Sequence, residues 1–204
     1  MTVVGLIGKI GAGKTTVAGL LGQCGAIVID ADALTHDALK QAAVRELIRD
    51  HFGSSVFEGD TVDRSCLAEL VFGDQPKHKK ALQDLEKIIH PRVRDALEER
   101  LREIDALPLK KEIGSVVVLD VPLLVQAGLH NRCDRLIWLE CEDSVRHQRL
   151  VQRGLSAQQV AAREEAWNAG FPKGSVSDHM LCTVDTSGDI AYTKKEITRV
   201  WEEL

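Results

Sequence analysis

The sequence predicts an α/β fold, a parallel sheet flanked by helices, and three observations carry that prediction. Short aliphatic runs recur at 3–7, 26–29, 113–119 and 135–140, each about the length of a buried parallel strand. Stretches with apolar residues every three or four positions separate them, as amphipathic helices do. The first run passes directly into Gly8-Lys9-Ile10-Gly11-Ala12-Gly13-Lys14-Thr15. That octet satisfies the P-loop pattern G-x-x-x-x-G-K-[ST] at every fixed position.

The octet has a physical reading. Its three glycines let the backbone turn tightly and bring bare N–H groups up to an anion. Thr15, Thr16, Val17, Ala18, Leu20 and Leu21 then open a helix whose N-terminus adds partial positive charge at the same point. The expected phosphate cradle is therefore Gly8, Gly11, Ala12, Gly13, Lys14, Thr15 and Thr16. Lys14 bridges the outer phosphates of ATP or GTP, and the Thr15 hydroxyl holds Mg²⁺. A glycine-rich turn that binds nothing is the alternative; a strand before and a helix after favour phosphate.

Composition narrows the partners. A chain of 204 residues suits one α/β domain with insertions. A formal net charge of −5 argues against nucleic-acid binding by phosphate neutralisation. Cys24, Cys66, Cys133, Cys141 and Cys182 form no C-x-x-C pair, so neither a zinc site nor a disulfide framework is indicated. The first strand begins at the N-terminus, which leaves no room for a signal peptide. No apolar run reaches the roughly 20 residues of a membrane span. The expected compartment is the cytoplasm, with a small-molecule substrate; oligomeric state leaves no mark in the sequence.

In chain order, the first helix should end near Gly22 or Gly25. Ala26–Ile29 is a second strand that delivers Asp30-Ala31-Asp32 at its C-terminal end, the side on which parallel sheets bind ligands. Asp30 and Asp32, two apart in an extended segment, would face the same way. Either could be a base or sit near a metal, and Asp32 could instead cap a helix. Residues 33–51 read as one helix and 53–63 as a turn-rich segment reversing near Gly59. From Ser65 a helical pattern runs for about forty residues, interrupted at 73–76 and at His90-Pro91. Leu82, Leu85, Ile89, Val93, Leu97, Leu101 and Ile104 mark its apolar face. This exceeds one crossover, so 60–106 reads as a helical acceptor-binding insertion. Pro91 would open a new helix, with His90 before it as a boundary residue or a ligand. Arg64, Arg92 and Arg94 are candidate phosphate contacts or solvated arginines.

The third strand ends in Asp120, the Walker-B form in which a carboxylate orients Mg²⁺. After the fourth strand, 144–168 carries Arg146, Arg149 and Arg153 on a basic helix followed by a second helix. That reads either as a lid closing on the transferring phosphate or as a solvated helix pair. Arg149 is expected to be exposed there and to matter little for folding. Met180–Val184 is a fifth strand and 190–204 a closing amphipathic helix. The fold class is thus a P-loop NTPase, nucleoside-kinase-like, with a helical insertion and a helical lid.

Over nearly its full length the chain resembles the dephospho-coenzyme A kinase family. The resemblance rests on GKIGAGKTT, VIDAD at 28–32, Asp63-Arg64 followed by Leu and Phe72, LEKIIHPRV at 85–93, VPLLV at 121–125 and QRLVQRGLS at 148–156. It implies transfer of the ATP γ-phosphoryl to the 3′-hydroxyl of dephospho-CoA, giving CoA. It further implies Asp32 as the base, Arg149 as the lid arginine, and Arg64, His90, Pro122 and Leu123 as acceptor contacts. The chain departs from the family pattern at Lys9 (usually Gly), Gln126 (Glu), Trp167 (Gln), Thr186 (Asn) and along 168–177. The residues themselves leave two other readings open: a P-loop kinase with a nucleoside, shikimate or gluconate acceptor, and a non-catalytic nucleotide-binding regulator.

Overall fold

The structure is a computed structural model and describes residues 1–72, 75–107, 115–170 and 181–204. It forms two compact units, one of Met1–Asp30 with the described residues from 115 on, the other of Ala31–Leu107.

The first unit contains β1 (Thr2–Ile7), α1 (Lys14–Cys24) and β2 (Ile27–Asp30). To these the later chain adds β5 (Val116–Asp120), β6 (Arg135–Glu140), α6 (Asp143–Gln152), α7 (Ala157–Gly170), β7 (Leu181–Asp185) and α8 (Ile190–Glu203). Its five strands lie in the order β2-β5-β1-β6-β7 and every pairing is parallel. Sheets of this kind are covered on both faces, which is why their strands are aliphatic throughout. Val4 and Leu6 of β1, Val118 of β5, and Ile137 and Leu139 of β6 form one core with Val17 and Leu21 of α1 and Ile197 and Val200 of α8. The sheet places β1 between β5 and β6, so the loop after β1 emerges at the centre of the C-terminal edge. Gly5 is needed there for room. A methyl at that position would lie within 2.8 Å of Leu124, Cys133 and Leu136 side-chain atoms, closer than packed atoms approach. Cys133, against this strand, is buried deeply enough that its thiol is pushed up to about 12.

The second unit holds α2 (Ala31–Lys40), α3 (Ala42–Phe52), a short hairpin of β3 (Phe57–Glu58) and β4 (Thr61–Val62), α4 (Arg64–Val71) and α5 (Pro76–Asp105). Its core is Val44, Ile48, Val56, Val62, Leu67, Val71, Leu85 and Ile89. Asp63 caps α4 by accepting from the amides of Ser65 (2.8 Å) and Cys66 (3.2 Å).

Three expectations are corrected. The single helix over 33–51 is two helices that part at Gln41, whose ψ of 132° is extended backbone; period alone does not register a one-residue break. The helix also begins earlier, at Ala31, so Asp32 lies in the first turn of α2 rather than in a strand. The same-face argument linking it to Asp30 therefore does not apply, because i and i+2 diverge by about 200° on a helix of 3.6 residues per turn. Finally, α5 runs unbroken through Pro91. Proline forgoes one intrahelical bond there, while buried Leu85, Ile89, Leu97, Leu101 and Ile104 hold both halves of the helix on one line. His90 is consequently an exposed mid-helix residue and no boundary.

Candidate active site

The loop between β1 and α1 is built as an anion cradle. Gly11 (φ 81°) and Gly13 (φ 87°) occupy the left-handed region, and among the described residues every other one with positive φ is likewise glycine. Alternation of this kind turns successive amides to one side. Helix α1 starts on Gly13 with no capping side chain and no acidic residue in its first turn. The amides of Lys14, Thr15 and Thr16 thus have no intrahelical acceptor, and the helix dipole adds to their pull on a negative group. The Ala12 amide is used differently, closing a turn on the Lys9 carbonyl at 3.1 Å. The Lys14 ammonium bends back over the loop and donates to the carbonyls of Gly8 (2.7 Å) and Lys9 (3.3 Å). Burial holds its pKa below the ordinary lysine value; Asp120 opposes that shift, and Arg153 and Arg146 add to it.

Asp120 is 7% exposed at the end of β5, opposite Asp30 at the end of β2 in the strand register. Two carboxylates therefore end neighbouring strands, on the edge where the cradle emerges. Thr15 and Thr16 are exposed at the start of α1.

Side chains of later elements surround the cradle, and two of them, Arg146 and Thr186, bond to it directly. Arg149 of α6 donates to the carbonyls of Thr186 (2.6 Å) and Gly188 (3.3 Å), and to Cys141 Sγ (3.4 Å). It is half-buried, contrary to the exposure expected of it. Together with Gly13, Thr16, Arg153, Thr186, Ile190 and Thr193 it lines a cleft of about 200 Å³. Arg146, 2% exposed, donates to the Ile10 carbonyl (2.8 Å), to Asp143 (2.7 and 3.0 Å) and to Glu164 of α7 (2.8 Å). Thr186, also 2% exposed, places its hydroxyl 2.9 Å from the Ala12 carbonyl and 2.8 Å from that of Glu140. Sequence reasoning named Arg146 only as one charge on a basic helix and Thr186 only as a departure from a pattern. The acceptors that give both residues their place lie far away in the chain, so no local signal marks them.

Two other departures meet each other. Gln126 donates to the Trp167 carbonyl at 2.9 Å, and the Trp167 ring meets Trp138 of β6 edge-on with centroids 5.8 Å apart. Pro122 lines the same crevice as Gly8, Gln126 and Trp167, while Leu123 is exposed. Lys9 reaches Asp143 at 4.0 Å.

The remaining sequence-predicted residues belong to the second unit. Asp32 is exposed in the first turn of α2, Arg64 begins α4, and His90 lies on α5. His90 lines a shallow groove of about 690 Å³ with Gln83, Glu86, Lys87, Pro91, Arg94 and Asp95; neither Asp32 nor Arg64 lines it.

A parallel sheet whose central strand feeds a phosphate cradle, with a buried carboxylate on the next strand, defines a nucleotide-using P-loop enzyme of the kinase type. Comparison with known proteins is specific. The family model for dephospho-CoA kinase matches residues 2–188. A dephospho-CoA kinase of Thermobifida fusca is 35% identical over 208 residues, covering 100% of this chain and 96% of the relative. One of Aquifex aeolicus is 31% identical over 206 residues, covering 100% and 98%. The crystal structure of TT1252 from Thermus thermophilus superposes with a TM-score of 0.74 at 31% identity, covering 100% of this chain and 97% of that one. The chain belongs to the dephospho-CoA kinase family and is a phosphotransferase.

Proposed function

We propose that this chain transfers the γ-phosphoryl group of ATP to the 3′-hydroxyl of dephospho-CoA, forming coenzyme A in the last step of its biosynthesis. The observation that carries the reading is the cradle. An 11-residue helix starts without a capping side chain on left-handed Gly13, beside a half-buried lysine, in a chain of that family.

Phosphoryl transfer needs alignment and charge neutralisation more than covalent help from the protein. In this reading Lys14 follows the γ-phosphoryl into the transition state, and the amides of Gly11 and Gly13 through Thr16 hold the remaining phosphates. Asp32 receives the proton of the attacking hydroxyl. Arg64, His90, Pro122 and Leu123 hold the acceptor, with 60–106 as the acceptor-binding insertion and 144–168 as the lid.

The donors present suit Mg²⁺. Thr15 offers a hydroxyl and Asp120 a carboxylate, and among the described residues no group of three or more His, Cys, Asp and Glu converges. Magnesium is commonly held by one or two protein oxygens, with phosphate and water filling the rest. Bound there, the ion would neutralise charge on the β- and γ-phosphates. All five cysteines are free thiols, as in a reducing cytoplasm, and no described helix is long and apolar enough to cross a membrane.

The test is mass spectrometry of the product formed from ATP and dephospho-CoA, beside parallel reactions with nucleosides, gluconate and shikimate. A product heavier by one phosphoryl group, from dephospho-CoA alone, is expected. Turnover of another acceptor in its place would overturn the assignment.

Arg149→Lys keeps the charge and loses the planar fork that spans the Thr186 carbonyl and Cys141 Sγ, so kcat should fall at least about tenfold. Because Arg149 is half-buried on the 186–188 turn, Arg149→Ala should also lower Tm by about 3–6 °C, the effect of one or two charge-assisted hydrogen bonds. Unchanged kcat in both variants, measured with the protein folded, would place Arg149 in the scaffold alone.

A further inference from the structure

Two peptide units of the cradle are held from outside by side chains whose roles the reaction does not by itself require. Arg146 donates to the Ile10 carbonyl at 2.8 Å, and the Thr186 hydroxyl lies 2.9 Å from the Ala12 carbonyl. Among the described residues all the peptides are trans. In a trans peptide the C=O of one residue and the N–H of the next point in opposite directions. Fixing the Ile10 carbonyl toward α6 therefore aims the Gly11 amide away from α6. Fixing the Ala12 carbonyl toward the end of β7 aims the Gly13 amide away from β7. These two amides belong to the left-handed glycines, the residues most free to rotate otherwise.

The ties are themselves rigid. Arg146 is 2% exposed and spends its other donors on Asp143 and Glu164, so its fork is locked on three acceptors. The α6 backbone also closes on the loop, since a methyl on Gly11 would lie 3.1 Å from the Arg146 carbonyl and from Leu150. The Glu140 carbonyl already accepts the Thr186 amide at 2.8 Å. The hydroxyl proton of Thr186 is thus the donor on which the Ala12 carbonyl relies.

We propose that Arg146 and Thr186 are positioning residues that preorganise the cradle from behind, turning the Gly11 and Gly13 amides toward the nucleotide's phosphates. The proposal rests on the phosphate-binding reading of the P-loop given above. It assigns Thr186 to the phosphates. Preorganised donors bind more tightly because no ordering is left to do at the moment of binding.

Inorganic tripolyphosphate and adenosine, each titrated calorimetrically against the protein, separate the possibilities. Thr186→Val keeps the shape and removes the hydroxyl. It should weaken tripolyphosphate and ATP alike by about five- to tenfold, the scale of one lost hydrogen bond, and leave adenosine unmoved. Thr186→Ser, which keeps the hydroxyl, should recover most of that loss. Arg146→Gln should weaken tripolyphosphate at least as much, measured at a temperature where thermal melting shows it folded. Wild-type tripolyphosphate affinity in Thr186→Val, or a loss confined to adenosine, would overturn the proposal. If the wild-type protein itself binds neither tripolyphosphate nor ATP, the P-loop reading fails and this inference fails with it.

Discussion

Lys14→Ala is expected to lower kcat by on the order of 10²–10³-fold, the effect of removing one preorganised charge from a phosphoryl-transfer transition state, and to change ATP affinity far less. The ammonium already sits over the loop, on the carbonyls of Gly8 and Lys9, so the enzyme does not order it anew when nucleotide arrives. Burial makes its protonated form less favourable than in an ordinary lysine, and phosphate charge relieves that penalty. The sign of the pH dependence follows. In the free enzyme Lys14 loses its proton below the usual lysine pKa, so the alkaline limb of kcat/KM should begin below that value. Single-turnover kinetics with saturating ATP would measure the chemical step directly. Near-wild-type turnover in the folded variant would overturn the P-loop assignment.

The second large effect concerns the two aspartates of Ile29-Asp30-Ala31-Asp32. Asp30 ends β2 opposite buried Asp120, which suits water or ion positioning beside the cradle. Asp32 opens α2 and belongs to the unit that carries Arg64 and His90, the residues proposed to hold the acceptor. Asp32→Asn keeps the size and removes the proposed base and one negative charge. It should reduce kcat by roughly 10²–10⁴-fold, the range for a lost general base, with ATP binding retained because the cradle is untouched. Asp30→Asn should be milder. Normal turnover in Asp32→Asn beside a dead Asp30→Asn would exchange the two roles. Activity in both would mean that positioning alone suffices.

Much of this was legible along the chain because the signals are local. The octet Gly8–Thr15, the aliphatic strands and the Asp that ends β5 each stand out within a few residues, and Gly-x-Gly-Lys-Thr has few other uses. Helix breaks were less legible. Gln41 separates α2 from α3 with no glycine or proline to announce it. Pro91 announces a break that does not occur, because the buried stripe from Leu85 to Ile104 outweighs one missing hydrogen bond. Arg149 could be read as a charge on a helix, but not as a half-buried fork on Thr186 and Gly188, 37 and 39 residues away.

Short-range pattern and the order of motifs were enough to specify the parallel α/β architecture, the glycine-rich turn between β1 and α1, and the family. What stands behind the cradle rests instead on contacts between distant segments. Arg146 reaches Ile10 across 136 positions and Thr186 reaches Ala12 across 174. A parallel sheet brings such distant strand ends to one edge, because each crossover returns the chain to the same side. Which carbonyl a side chain meets there is set by packing and hydrogen-bond satisfaction, and neither is written in any local stretch of residues.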